Sequence, residues 1–344
     1  MFFCKDRSGC VFGAVLLVSS LAACVTETVE RDSPDATVVV QEPVHIQLAP
    51  MPGAGGPVDD YYRSIVAQMR DAAAQRDLPK LRSLLDVHNR SAAPAWAKSQ
   101  MARFDDLAMG MVFEMGAPAA SSISLAGDAA PIGAPIEFVY RLKGSLGEAV
   151  RLEGEDGETA TSFLVSFAIE DLNVFGGRTK RSFSSIVNLS RSIDLDQKQL
   201  ELPFSIALAP VDAVIRAIAV KVELLPGLIM VDGQSVPHRR VQLIEHEEIF
   251  YPKGVELVKE RPLDHLRTVV KLKDPKFFAH QLLAIHFMPE SSKVEAMELL
   301  MQQVRLGNPE QVRVAMACLS VLVDSKLAIK DRNGWLRWWG AREK

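Results

Sequence analysis

The chain has 344 residues, with 39 Lys and Arg against 43 Asp and Glu and a formal charge of −4. That balance gives no reason to expect nucleic acid as a partner. A hydrophobic content of 48% argues against wholesale disorder, and no later apolar run is long enough for a membrane span. The longest candidate, Ala213 to Met230, is interrupted by Arg216, Lys221, Glu223 and Pro226 and reads as strand.

Residues 1–23 form three regions. Lys5 and Arg7 make a basic start, Val11 to Leu21 an apolar core, and Leu21-Ala22-Ala23-Cys24 follows directly. A core of about a dozen residues suits a signal peptide and is too short for a ~20-residue span. Leu21-Ala22-Ala23-Cys24 resembles the lipobox of bacterial lipoproteins. The resemblance implies cleavage before Cys24, acylation of that cysteine and export to the cell envelope. Val25, rather than aspartate, follows the cysteine, which by the same resemblance favours the periplasmic face of the outer membrane. One acyl chain holds a protein only marginally, so the several chains such lipoproteins carry would make attachment stable. Cleavage after Ala22 or Ala23 without lipid is the competing reading. Cys4 and Cys10 fall in the leader, so a lipidated Cys24 leaves Cys318 unpaired and the remaining 321 residues without a disulfide. The leader carries +1, leaving −5 on the rest, and 321 residues suffice for two or three domains.

Residues 24–58 read as a tether, rich in proline, glycine and acids. Within it Thr37 to Leu48 has strand-like composition. Residues 59–116 are expected to form a helical unit of three helices. Tyr62, Ile65, Val66, Met69 and Ala73 share one helical face, and Asp77 caps a second helix carrying Leu81, Leu84 and Leu85. The third helix points Trp96, Phe104, Ala108, Met111 and Met115 inward.

From residue 119 to 252 the period changes to two. Ile136, Phe138, Tyr140 and Leu142 alternate with polar residues, and Val214, Ile218, Val220, Val222 and Leu224 form another apolar face. About seven strands without intervening helices predict an antiparallel sandwich. The stretch "GAPIEFVYRLKGSLGEAVRL" is similar in pattern to immunoglobulin-like domains of exported bacterial proteins, without a Cys-Trp-Cys framework.

Residues 263–344 return to helices. Asp274-Pro275 and Asn308-Pro309 each place a cap before a proline, 34 residues apart. Ser292 to Glu295 reads as a capping box, Gly307 as a C′ residue, and Val294, Met297, Met301 and Val304 as a buried stripe. The 34-residue shift lays Met301 over Trp335 and Val304 over Trp338. "NPEQVRVAMACLSVL" resembles the first helix of HEAT-type repeats, of which about two units would be present. The fold class expected is therefore α+β multidomain, an immunoglobulin-like sandwich flanked by a helical unit and a HEAT-like segment. Packing of that segment against residues 59–116 is one arrangement considered.

Chemistry-bearing residues are few. On one strand, His238, His246 and Glu248 would share a face, but their spacing falls short of a four-ligand zinc site, and no metal or cofactor is expected. Neither HExxH, GxSxG, SxxK nor a phosphate loop occurs. Two clusters remain as interaction candidates. Arg178, Lys180 and Arg181 gather beside a strand turn, where a solvated hairpin competes with an anion-binding loop. Trp335, Trp338 and Trp339 with Arg342 form either a binding patch or a packed terminal helix. The function expected is non-enzymatic binding or scaffolding of another envelope protein or a glycan. An envelope enzyme acting on peptidoglycan or peptides through a dispersed site, and a structural spacer, are the alternatives.

Overall fold

The computed structural model describes residues 56–342, apart from 89–91, 128–130, 145–148, 158–159, 207, 209–211, 273 and 324–330. The leader, Cys24 and most of the tether lie outside the described residues. Those described contain nine α-helices and three antiparallel sheets, an α+β chain.

Three helices come first: α1 (Pro57–Ala74), α2 (Leu78–Val87) and α3 (Ala95–Ala120). Each expected stripe explains why they pack. Tyr62, Ile65, Val66, Met69 and Ala73 of α1 are buried with Leu81 and Leu85 of α2 and Met101, Phe104, Ala108 and Met111 of α3. The Asp77 carboxylate accepts the Lys80 backbone N–H at 3.1 Å, satisfying an amide that the first turn leaves unpaired. Met115 departs from expectation and is exposed. Beyond Met111 the helix leaves the first core for a second, so its buried face turns to Phe113 and Ala117. Gly110 permits that crossing, since a β-carbon there would sit 2.4 Å from the Pro237 carbonyl oxygen. The helix thus runs through the boundary expected at 116–119.

Eleven strands follow, more than the seven anticipated, because short edge pieces were not legible as separate strands. They are β1 (Ser121–Leu125), β2 (Ile136–Leu142), β3 (Val150–Leu152), β4 (Ser162–Asn173), β5 (Arg178–Asn188), β6 (Ile193–Asp194), β7 (Leu200–Ile206), β8 (Ala213–Leu224), β9 (Gly227–Val231), β10 (Gln234–His238) and β11 (Val241–Phe250). The sheet orders are β1-β2-β7, β10-β9-β3-β6 and β11-β8-β4-β5. Alternation drives this assembly. Ile136, Phe138, Tyr140 and Leu142 of β2 enter the same core as Phe163, Val165, Phe167 and Ile169 of β4 and Ile218, Val220, Val222 and Leu224 of β8.

The C-terminal helices are α4 (Glu256–Glu260), α5 (Pro262–Val269), α6 (Phe278–His286), α7 (Lys293–Leu306), α8 (Pro309–Val323) and α9 (Arg332–Arg342). They close a third core that includes Val214 and Ile215 of β8 and rests against Phe175 of the β4–β5 turn. No residue of α1–α3 belongs to this core, so the helical segments occupy separate cores on the β-region, contrary to the mutual packing considered above. Asn308 caps α8 reciprocally: its side chain accepts the Gln311 N–H at 2.9 Å while the Gln311 side chain accepts the Asn308 N–H at 3.1 Å. The box expected at Ser292 does not form; a 3₁₀ turn over Glu290–Ser292 leads into α7 and the serine makes no cap bond. This entry rotates α7 so that Ala296, Met297, Leu300, Met301 and Val304 face inward while Val294 is 61% exposed. Gly307 ends α7 at φ −73°, outside the left-handed conformation that a C′ glycine adopts.

Candidate functional site: an open sheet edge

The β4–β5 hairpin carries the basic cluster. Its turn is fixed by Asn173, whose side-chain oxygen accepts the backbone N–H groups of Phe175 and Gly177, both at 2.9 Å. Gly176 adopts φ 77°, a conformation costly for other residues. The turn sets a regular register from Ser162 opposite Asn188 to Leu172 opposite Arg178.

Among the described residues β5 has β4 as its one strand neighbour, so an 11-residue strand forms the margin of its sheet. Hydrogen bonds bracket the hairpin from the Leu189 N–H to the Thr161 carbonyl and from the Asn173 N–H to the Gly177 carbonyl, each 2.9 Å. Antiparallel pairing alternates between bonded and non-bonded pairs. Phe183, Ser185 and Val187 therefore bond toward β4, whereas Ser182, Ser184, Ile186 and Asn188 turn their backbone groups outward.

The two halves of β5 differ. In the first half Arg178 pairs with Glu170, the Lys180 ammonium lies 3.3 Å from the same carboxylate, and Arg181 reaches Asp171 at 2.7 Å. Arg216 of β8 reaches Asp171 from the other side at 2.6 Å. Four cations on two carboxylates leave a local surplus of +2 in a chain whose total is negative. Charged residues are also how exposed sheet edges resist unwanted pairing. The second half, Ser182 to Asn188, has no charge, and Phe183 and Ile186 are 40% and 48% exposed. Phe183 leans on Phe167 with ring centres 4.9 Å apart. This half can accept a further strand through its outward amides and carbonyls, with the cations beside it favouring an acidic neighbour.

The tryptophan cluster resolves differently. Trp335 and Trp339 are buried in the C-terminal core, so neither presents its ring to a partner. Trp338 is half-buried, with the Arg342 guanidinium 4.6 Å above its ring and 3.8 Å from the Met297 sulfur. The helix is packed because its tryptophans join the core that also holds Met297, Met301 and Val304.

His238, His246 and Glu248 are not brought onto one strand. His238 ends β10, buried, its Nδ1 2.9 Å from the Arg239 carbonyl, while His246 and Glu248 pair at 3.3 Å on β11 in another sheet. Two histidines that sequence reading left scattered do meet: His265 Nε2 and His280 Nδ1 lie 3.0 Å apart on α5 and α6. His286 bonds the Tyr251 hydroxyl at 3.0 Å. Among the described residues no group of three or more His, Cys, Asp or Glu side chains is placed to hold a metal. Cys318 is buried, and burial pushes its thiol well above the usual range, which opposes nucleophilic chemistry.

Sequence reasoning missed Asp171 and Arg216. The signal was parity: Asp171 continues the inward series Phe163, Val165, Phe167 and Ile169.

No family model and no curated protein matches the chain. Among solved structures it is similar to Spo0M, a sporulation control protein from Bacillus subtilis, at 13% identity and a TM-score of 0.21, over 44% of this chain and 54% of that one. The similar region thus spans about half the length of Spo0M. CC2D1B, a protein of the mitotic reformation of the nuclear envelope, matches at 10% identity and a TM-score of 0.12, over 56% of this chain and 86% of that one. At such TM-scores neither likeness bears on fold or activity.

Proposed function

We propose that the chain is a lipid-anchored protein of the cell envelope with a non-enzymatic binding role, exercised through the free edge of β5. In this reading Cys24 carries the lipid, residues 24–58 are the tether, the β-region is an immunoglobulin-like sandwich and α4–α9 form a HEAT-like buttress. The outer membrane's periplasmic face is the location, and the partner is another envelope protein that contributes an extended strand. The observation that carries the binding role is an 11-residue strand with, among the described residues, a single neighbour and an uncharged, partly apolar half. Strand addition at such an edge draws affinity from main-chain hydrogen bonds and specificity from alternate side chains. The α4–α9 core braces the hairpin: the Arg313 guanidinium lies 4.4 Å from the Phe175 ring at the turn.

Two measurements test this. Mass spectrometry of the native amino terminus should find an acylated Cys24, with Cys24→Ser releasing the protein from membranes; an intact leader or an unmodified Cys24 overturns the anchor. A photoreactive side chain at Ser184 should capture a defined envelope protein in intact membranes, while one at the exposed Leu306 on α7 should not. Absence of a Ser184-specific partner overturns the binding role.

A further inference from the structure

We infer that His265 and His280 form a copper(II) site, a two-imidazole clasp that ties α5 to α6. The clasp lies on the C-terminal helices and is independent of the role proposed for β5.

The fold brings the two rings together although 15 residues separate them in the chain. His265 is the fourth residue of α5 and His280 the third of α6. Both helices are pinned beside their histidines, since Leu266 and Val269 of α5 and Phe278, Gln281 and Leu282 of α6 are buried. The connection between them ends in a 3₁₀ turn over Pro275–Phe277, where the Asp274 carboxylate accepts the Lys276 backbone N–H at 3.1 Å. Phe277 then meets the His280 ring edge-on, with centres 6.0 Å apart. The two imidazoles face each other with centres 5.2 Å apart and planes 25° from parallel. Rings held in this way before an ion arrives lower the ordering cost of binding it.

The facing atoms are His265 Nε2 and His280 Nδ1, 3.0 Å apart. A neutral imidazole carries one N–H and one lone pair. Two facing lone pairs repel unless a proton or a metal ion lies between them. The spacing suits a metal of a particular kind. With metal–nitrogen bonds of about 2.0–2.1 Å, a 3.0 Å pair subtends roughly 91–97° at the ion, whereas a tetrahedral angle needs about 3.3 Å. A right-angled nitrogen pair belongs to tetragonal copper(II) or nickel(II), and copper(II) is the more tightly bound of the two. Zinc fits less well, because a structural zinc site takes four ligands in tetrahedral array, and no group of three or more His, Cys, Asp or Glu is so placed among the described residues.

Both histidines are half-buried, so water can complete the coordination. Neighbouring charges are already matched. Asp264 pairs with Arg267 at 2.8 Å, and the Lys276 ammonium, 5.1 Å above the Phe277 ring, is held by Asp274 at 2.8 Å. The two imidazoles therefore carry the site, and the ion they hold bridges α5 and α6.

Copper(II) titrated into the full chain, purified in detergent without a histidine tag and followed by electron paramagnetic resonance, tests the clasp. The first equivalent should give a tetragonal signal split by two nitrogens, a reading that needs no variant to fold. His265→Gln and His280→Gln should each weaken that equivalent at least about tenfold, since loss of even an outer-shell partner costs about 10–100-fold. His246→Gln, on β11 beside Glu248, should leave it unchanged. Zinc(II) should displace it only in large excess. A first equivalent without the nitrogen pair, or one bound equally well by either clasp variant, overturns the site and leaves a shared proton as the tie between the rings. Neither result bears on the Ser184 capture experiment, so the binding role stands or falls separately.

Discussion

Asp171 and Arg216 show what a single register can do. Both side chains are buried, and they meet because β4 and β8 place them opposite each other. The Asp171 carboxylate takes 2.6 and 3.3 Å bonds from Arg216 and a 2.7 Å bond from Arg181. Removing one partner of a buried pair leaves the other charge without compensation, a loss of about 3–5 kcal/mol. Glu170, by contrast, pairs with Arg178 and with Lys180, whose side chain is 72% exposed, and exposed pairs contribute about 0–1 kcal/mol. Asp171→Asn should therefore lower the urea midpoint by an amount equivalent to about 3–5 kcal/mol at unchanged slope, and Glu170→Gln by less than about 1 kcal/mol. Comparable shifts for the two would contradict the burial argument. Half of this was open to sequence reading. Alternation marks residue 171 as inward, but nothing local names residue 216 as its counterpart, since that depends on which strands become neighbours.

At the scale of elements, local chemistry was legible wherever it was sufficient. The α1 stripe and the β2 alternation follow from periods of 3.6 and 2, and Asn308 before Pro309 encodes its own cap. It failed where a neighbour intervened. Ser292 has the right identity for a cap, yet the preceding 3₁₀ turn brings it into α7 at helical dihedrals, away from the extended conformation a capping residue needs. Met115 continues the α3 stripe by spacing, but by that point the helix has passed Gly110 and buries a different face. The cap difference is measurable. Asn308→Ala should destabilise the protein by about 1 kcal/mol, whereas Ser292→Ala, which removes no cap bond, should stay within about 0.5 kcal/mol. Equal losses in thermal or urea unfolding would show that α7 and α8 start in the same way. The candidate edge belongs to this scale too. "RTKRSFSSIVN" reads as a strand, but its lack of a second neighbour follows from the order β11-β8-β4-β5, which no pattern within β5 encodes.

Across the whole molecule, three histidines in different places respond to pH in the same direction. Burial holds the His238 imidazole below its ordinary 6.5, only partly offset by its bond to the Arg239 carbonyl. Burial does the same for His286, and His265 is lowered by burial and by the adjoining His280. Below pH 6.5 an unfolded chain takes up protons at these sites before the folded one does, so stability rises with pH through that window. Their contribution is complete above the ordinary value and is lost as pH falls below it. Glu223 acts lower down: burial pushes its carboxyl up, but bonds from Arg240 and Lys221 outweigh this and hold it below its ordinary 4.5. That contribution persists above 4.5 and is lost under more acidic conditions. The unfolding temperature should therefore be nearly level between about pH 7.5 and 8, decline between about 7 and 5, and decline again below about 4.5. His238→Gln should make the first decline shallower, since each proton excluded on folding adds at most about 1.4 kcal/mol per pH unit. His238 sits beside Phe113 of α3, with ring centres 5.9 Å apart, whereas His265 and His286 belong to the C-terminal helices. The substitution consequently separates the pH sensitivity of the α3 junction from that of α5 and α6. A level profile from pH 7.5 to 5, or an unchanged slope in His238→Gln, would contradict the neutral, buried state assigned to this imidazole.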